Sequence, residues 1–146
     1  MQPMLWLEYS RKTMQAYGKV SKPLCAELGI PQTAFDILMF LANNPLHNTA
    51  KDIVERKRLK ANLVSINVDK LVQEGYLERK TDKHDRRRVL LFCTPKAESI
   101  ISKGLKLQEC FYNRLLSNVP EDSIETMKAA IQTIFKNIDD IWRQEP

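Results

Sequence analysis

The residues best suited to chemistry lie in Asp82-Lys83-His84-Asp85-Arg86-Arg87-Arg88, where three consecutive arginines follow two spaced aspartates. Guanidinium groups are planar, permanently charged forks of N–H donors that match phosphate geometry. A run of them suits the holding of a polyanion, not the breaking of bonds. The segment lies between two short apolar, β-prone runs, Gly75-Tyr76-Leu77-Glu78-Arg79 and Val89-Leu90-Leu91-Phe92-Cys93. Together they read as a hairpin with a basic tip, preceded by an amphipathic helix and, before that, a short capped one.

The charge distribution points the same way. The 146 residues have a formal net charge of +5. Between Lys51 and Lys96 stand 13 basic and 7 acidic residues, a balance of +6, so this segment more than accounts for the whole excess. A basic centre between balanced flanks is a footprint for nucleic acid. Enzyme signatures are missing: there is no Gly-rich phosphate loop, nucleophile elbow, HExxH or paired-Cys metal motif, so no catalytic residue is assigned. His47 and His84 are the only histidines, too few for a metal cluster. No cofactor and no metal are expected.

The composition, 43% hydrophobic and 28% charged, is that of a soluble globular chain. No apolar run is long enough to span a bilayer, and charge interrupts the N-terminus too early for a secretory signal. Cys25, Cys93 and Cys110 are odd in number and widely spaced, which argues against a disulfide framework and predicts a reducing cytoplasm. They read as inert small hydrophobes.

Several elements must position the basic tip. Helical spacing covers roughly Met4 to Leu28, with Gly29 as a stop. A second helix opens at Pro31 and ends at Asn43-Asn44-Pro45. Thr49 with Asp52 reads as a capping box for a short helix to Lys57. The next helix runs from Lys60 to Glu74 and is closed by Gly75. Two helices this close in sequence need a turn between them, which makes a helix-turn-helix corner. On a wheel, Val64, Val68, Leu71 and Val72 face inward, with Asn62, Ile66, Asp69 and Gln73 opposite, flanked by Ser65 and Lys70. Ile66 is either an ordinary exposed isoleucine or an apolar contact for a thymine methyl. After the hairpin, Thr94-Pro95 reads as an N-cap and first-turn proline for a helix to about Ser117. In the last helix Ile124, Met127, Ile131, Ile134, Ile138 and Ile141 form a heptad seam. Such a seam needs a partner helix, in this chain or in a second subunit, and a dimer is the favoured reading.

These residues resemble the MarR family of transcriptional regulators. The matching pieces are Phe35-Asp36-Ile37-Leu38, Thr49-Ala50-Lys51-Asp52-Ile53, Val64-Ser65 through Val68-Asp69-Lys70-Leu71, Glu74-Gly75-Tyr76-Leu77-Glu78-Arg79, the tip Asp82 to Arg87, and Thr94. The resemblance implies a mainly α fold with a small β-hairpin wing, a winged helix-turn-helix flanked by N- and C-terminal dimerisation helices. One domain over residues 1–146 is expected, with 30–97 binding DNA and 1–28 and 98–146 dimerising. It implies a homodimer on a palindromic operator in double-stranded DNA, usually as a repressor. Arg87 would enter the minor groove, Asp85 would orient the wing, and Arg86 and Arg88 would share that role or hold phosphates. Asn62, Ser65 and Ile66 are the candidates for bases; Lys51, Arg56, Lys57, Arg58, Lys60 and Lys70 for phosphates. A small phenolic or anionic effector is implied, with Tyr9, Met14, Tyr17 and Met39 as candidate pocket residues; a plain core stripe is the alternative. The sequence departs from the family pattern at Pro31 and Lys60, where polar caps are usual, and at Ile66, where arginine is common. A winged-helix protein-docking module is the competing function, and it predicts an apolar, weakly basic recognition face.

Overall fold

Short-range signals set the helix ends. In the computed structural model, which describes residues 4–144, helix α1 (Met4–Leu28) stops where Gly29 takes a left-handed φ of 64°. The amides of Gly29 and Ile30 then return to the carbonyls of Ala26 and Cys25, which closes the helix end. Helix α2 (Gln32–Asn43) is dense in apolar residues and buries Phe35, Ile37, Leu38 and Met39. Pro31 precedes it as an extended N-cap and is not its first helical residue; no side chain caps this end.

Helix α3 (Ala50–Lys57) opens with both halves of a capping box: the Asp52 amide donates to the Thr49 hydroxyl, and the Thr49 amide to the Asp52 carboxylate. Arg58 then turns the chain in a left-handed conformation, φ 51°, and helix α4 (Ala61–Gln73) begins three residues on. Gly75, φ 84°, ends α4: its amide bonds to the Val72 carbonyl, and the Tyr76 amide to that of Leu71. This is a Schellman closure, in which glycine is favoured because it has no Cβ to strain the left-handed turn.

The chain then forms the antiparallel strands β1 (Leu77–Thr81) and β2 (Val89–Cys93), with Leu77 opposite Cys93 and Thr81 opposite Val89. The first strand starts two residues later than the apolar run predicts, because the helix closure occupies Gly75 and Tyr76. A 3-10 turn (Pro95–Ala97) leads into α5 (Glu98–Leu115), and α6 (Glu121–Gln144) follows. Between them Asn118 takes a left-handed φ of 65°.

Two compact units are present, Met1–Glu109 and Cys110–Pro146. The first holds the core, built from Phe35, Ile37, Leu38, Ile53, Val64 and Leu71 with Leu77 and Leu91 of the hairpin. Burial of an aliphatic or aromatic side chain of this size stabilises by roughly 1.5–3 kcal/mol. Buried polar groups in this core are satisfied: the Asn48 amide donates to the Leu91 carbonyl, and Asn67 to that of Leu63. Gly104 of α5 comes so near α2 that an added Cβ would lie 2.3 Å from the Met39 sulfur. In the second unit no residue of α6 is buried. The mainly α fold with a hairpin wing is as the sequence predicts.

Candidate nucleic-acid interface

The outer face of α4 is built by its inner one. Val64, Val68 and Leu71 are buried, which fixes the rotation of the helix and leaves Asn62, Ser65, Ile66, Asp69 and Lys70 exposed. Ile66 is 63% exposed, a large apolar surface among polar neighbours. Asn62 is partly engaged locally, since its side-chain oxygen accepts from the Leu63 amide at 2.9 Å. Lys60, the N-cap, is exposed and makes no capping bond. Lys51 is exposed on α3, 3.9 Å from Glu55, an ion pair that solvent screens heavily. Arg56 and Arg58 are also exposed, and Lys57 is half-buried. A largely apolar cavity of about 470 Å³ lies under this corner, with Ala50, Val54, Ala61, Ser65, Arg79 and Val89 in its wall.

The hairpin tip is ordered by its aspartates. Asp82 accepts from the His84 amide at 3.0 Å and lies 3.7 Å from the Arg88 guanidinium. Asp85 accepts from the Arg87 amide at 3.0 Å, and the Arg88 amide closes onto the Asp85 carbonyl. Both carboxylates therefore stiffen the loop through its backbone. Arg86 and Arg87 are exposed and form no ion pair among the described residues, whereas Arg88 is half committed to Asp82. The wing is tied to α4 by an ion pair between Arg79 of β1 and Asp69. Sequence reasoning missed this pair, although an acid on a basic face was a signal for a cationic partner.

The candidate effector residues do not converge. Tyr17 and Met39 share the wall of a cavity of about 240 Å³ with Asp36, Asn43, Lys57 and Gln108. Tyr9 and Met14 are exposed and form no part of that wall. The Tyr17 hydroxyl accepts from the Gln108 amide at 3.0 Å, and burial pushes its phenol above the ordinary value. Burial likewise raises the Asp36 carboxyl, opposed by a hydrogen bond from Gln32 and by the charge of Lys57. The sequence signal for this site is Asp36, the one acid in a mostly apolar helix. Burial also raises the thiols of Cys25 and Cys93, which disfavours the nucleophilic thiolate; Cys110 is exposed. No single helix among the described residues is long and apolar enough to cross a membrane.

A family model, described as the MarR family, matches residues 28–88, the stretch from the end of α1 to the far side of the wing tip. Over those residues the winged-helix region of this chain is similar to the MarR family. Over the whole fold, the chain is similar to a MarR-family transcriptional regulator from Listeria monocytogenes solved with a 26mer DNA: TM-score 0.79, 20% identity, covering 97% of this chain and 93% of that one. It also resembles the reduced form of MarR from E. coli, with a TM-score of 0.64 and 18% identity over 92% and 97% of the two chains. At such identities the likeness is one of fold. Among curated proteins it is similar to the HTH-type transcriptional regulator BilQ of Clostridium symbiosum, 29% identical over 70 residues. That match spans 48% of this chain and about half, 49%, of the relative. The thirteen residues singled out for DNA fall on α3 and the turn after it, at the α4 start, on α4 itself or at the wing tip.

Proposed function

We propose that this protein is a sequence-specific DNA-binding transcriptional regulator, acting as a homodimer on a palindromic operator, most simply as a repressor that occludes polymerase. The observation that carries the reading is the pairing of an exposed α4 face with a wing tip whose Arg86 and Arg87 are exposed. The DNA in the Listeria relative's structure supports it.

In this reading α4 of each subunit enters a major groove, with half-sites about 10 bp apart centre to centre. Asn62, Ser65 and Ile66 meet bases, and Lys51, Lys60 and Lys70 meet phosphates. Arg87 enters the minor groove, where narrow A·T-rich geometry concentrates negative potential. Asp85 holds the wing loop, with Arg86 and Arg88 beside it. The exposed apolar residues of α1 and α6, among them Trp6, Leu7, Phe135 and Trp142, support self-association. The Tyr17–Met39 cavity is the candidate seat of a small phenolic or anionic effector. The similarity of the winged-helix region to the MarR family and the absence of a catalytic motif in the sequence support a non-enzymatic role.

The test is fluorescence anisotropy with duplexes selected by the protein from a random pool, titrated with salt. Tight binding over random DNA, falling steeply with salt, is the expected result. Arg87→Ala should weaken it by about an order of magnitude, the scale of one lost well-placed charged contact. Equal, weak binding to every duplex would overturn the reading in favour of protein docking, and an unchanged Arg87→Ala would remove the wing from it.

A further inference from the structure

The Leu71 and Val72 carbonyls at the end of α4 are taken up by the Tyr76 and Gly75 amides, and the turn that follows the helix is held from further along the chain. Three successive carbonyls, those of Glu74, Gly75 and Tyr76, accept from one short segment. The Lys96 ammonium donates to Glu74 at 2.6 Å, the Thr94 hydroxyl to Gly75 at 2.5 Å, and the Thr94 amide to Tyr76 at 3.0 Å. The same ammonium lies 4.6 Å from the centre of the Tyr76 ring, a cation–π distance. The Lys96 stem passes the turn so closely that a Cβ on Gly75 would sit 3.7 Å from its Cδ.

The donor segment is itself anchored. Ala97 is wholly buried and Ile100 nearly so, and they pin the turn that opens α5. Lys96 therefore places a full positive charge from a fixed support at the negative end of the α4 dipole. In the sequence it counts toward the basic excess, yet its ammonium is engaged with the end of α4.

We propose that Lys96 is a positioning residue for α4: with Thr94 it latches the C-terminal turn of that helix to the start of α5, and so sets the angle at which α4 meets DNA. This rests on the DNA-binding reading above. A latch of this kind acts on sequence discrimination without touching a phosphate, and that separates Lys96 from Lys51, Lys60 and Lys70, the lysines proposed for phosphates.

The experiment compares the full chain with Lys96→Met and Lys96→Arg by anisotropy, on the selected duplex and on random duplex, across a salt series. Lys96→Met keeps the stem but loses the donor and the charge; being exposed, the residue should be replaceable without unfolding, which thermal melting checks. The expected result is a five- to tenfold loss of affinity on the selected duplex, with random-duplex affinity and salt slope unchanged. Lys96→Arg, which retains charge and donors, should recover most of the loss. Amide exchange over residues 71–78 should quicken in Lys96→Met. A parallel loss on both duplexes, with the salt slope smaller by about 0.9, would make Lys96 a phosphate contact and overturn the proposal. So would wild-type discrimination in Lys96→Met. Should the wild type select no sequence at all, the DNA-binding reading fails first, and that outcome is visible before any variant is made.

Discussion

Helices α2 and α6 send the same kind of message in sequence and meet opposite fates. Both have regularly spaced apolar residues. In α2 these are covered: Phe35, Ile37 and Leu38 are wholly buried beneath α1, α4 and the hairpin. In α6 the heptad seam stays half-buried at Ile124, Met127 and Ile131, and exposure rises from 36% at Ile134 to 58% at Ile141. The difference teaches that apolar periodicity reports a face in need of cover and does not name the cover. A face of that kind, when long and exposed, marks an interaction site more often than a finished surface. For α6 a second copy of the chain is the proposed cover.

The largest test breaks the comparison at its covered side. Leu38→Ala should destabilise the protein by roughly 2–5 kcal/mol, because its cavity is enclosed on every side, as read by urea unfolding. Ile138→Glu should leave monomer stability nearly unchanged while lowering self-association, seen by sedimentation velocity across a concentration series. If Ile138→Glu unfolded the monomer as Leu38→Ala does, the contrast between the two helices would be wrong. A smaller effect sharpens the contrast on local grounds. Thr49→Ala removes half of a capping box in the winged-helix unit and should cost about 1 kcal/mol, measured by the shift in thermal midpoint.

The smallest expected effect concerns the one acid on the covered helix. Burial raises the Asp36 pKa, so the fold disfavours its charged form. Its contribution to stability is fully present below the ordinary aspartate value and is lost as pH rises through the raised folded value. Asp36→Asn should therefore raise the melting temperature at neutral pH and leave it nearly unchanged at a pH of about 4, near the ordinary aspartate value. An equal gain at both would show that the Asp36 charge is not what strains the site.

Much of the first unit was legible. The Gly29 and Gly75 stops, the Thr49–Asp52 box and the inward row Val64, Val68 and Leu71 all stand where their residue types predict. Thr94 stands at the N-cap with Pro95 in the first turn, as read, but its side chain does something else. As a threonine before a proline it predicts a side-chain cap on the next helix, yet its hydroxyl bonds back to Gly75 and makes no cap. Competition from a carbonyl left open 19 residues earlier has no local sign. The Asp69–Arg79 pair and the approach of Gly104 to Met39 are of the same kind.

The sequence by itself determined the helix ends, the corner between α3 and α4, the hairpin with its basic tip, and the excess of charge along Lys51 to Lys96. Each of these depends on interactions within a few residues, where backbone geometry leaves few choices. Only the tertiary structure decided where the open carbonyls of the turn after α4 find donors, that Tyr17 and Met39 line one cavity while Tyr9 and Met14 stay outside it, and that burial disfavours the charged form of Asp36. Those outcomes depend on which surfaces pack together across long stretches of chain, and that is set by the joint filling of one core, which no short window of residues specifies.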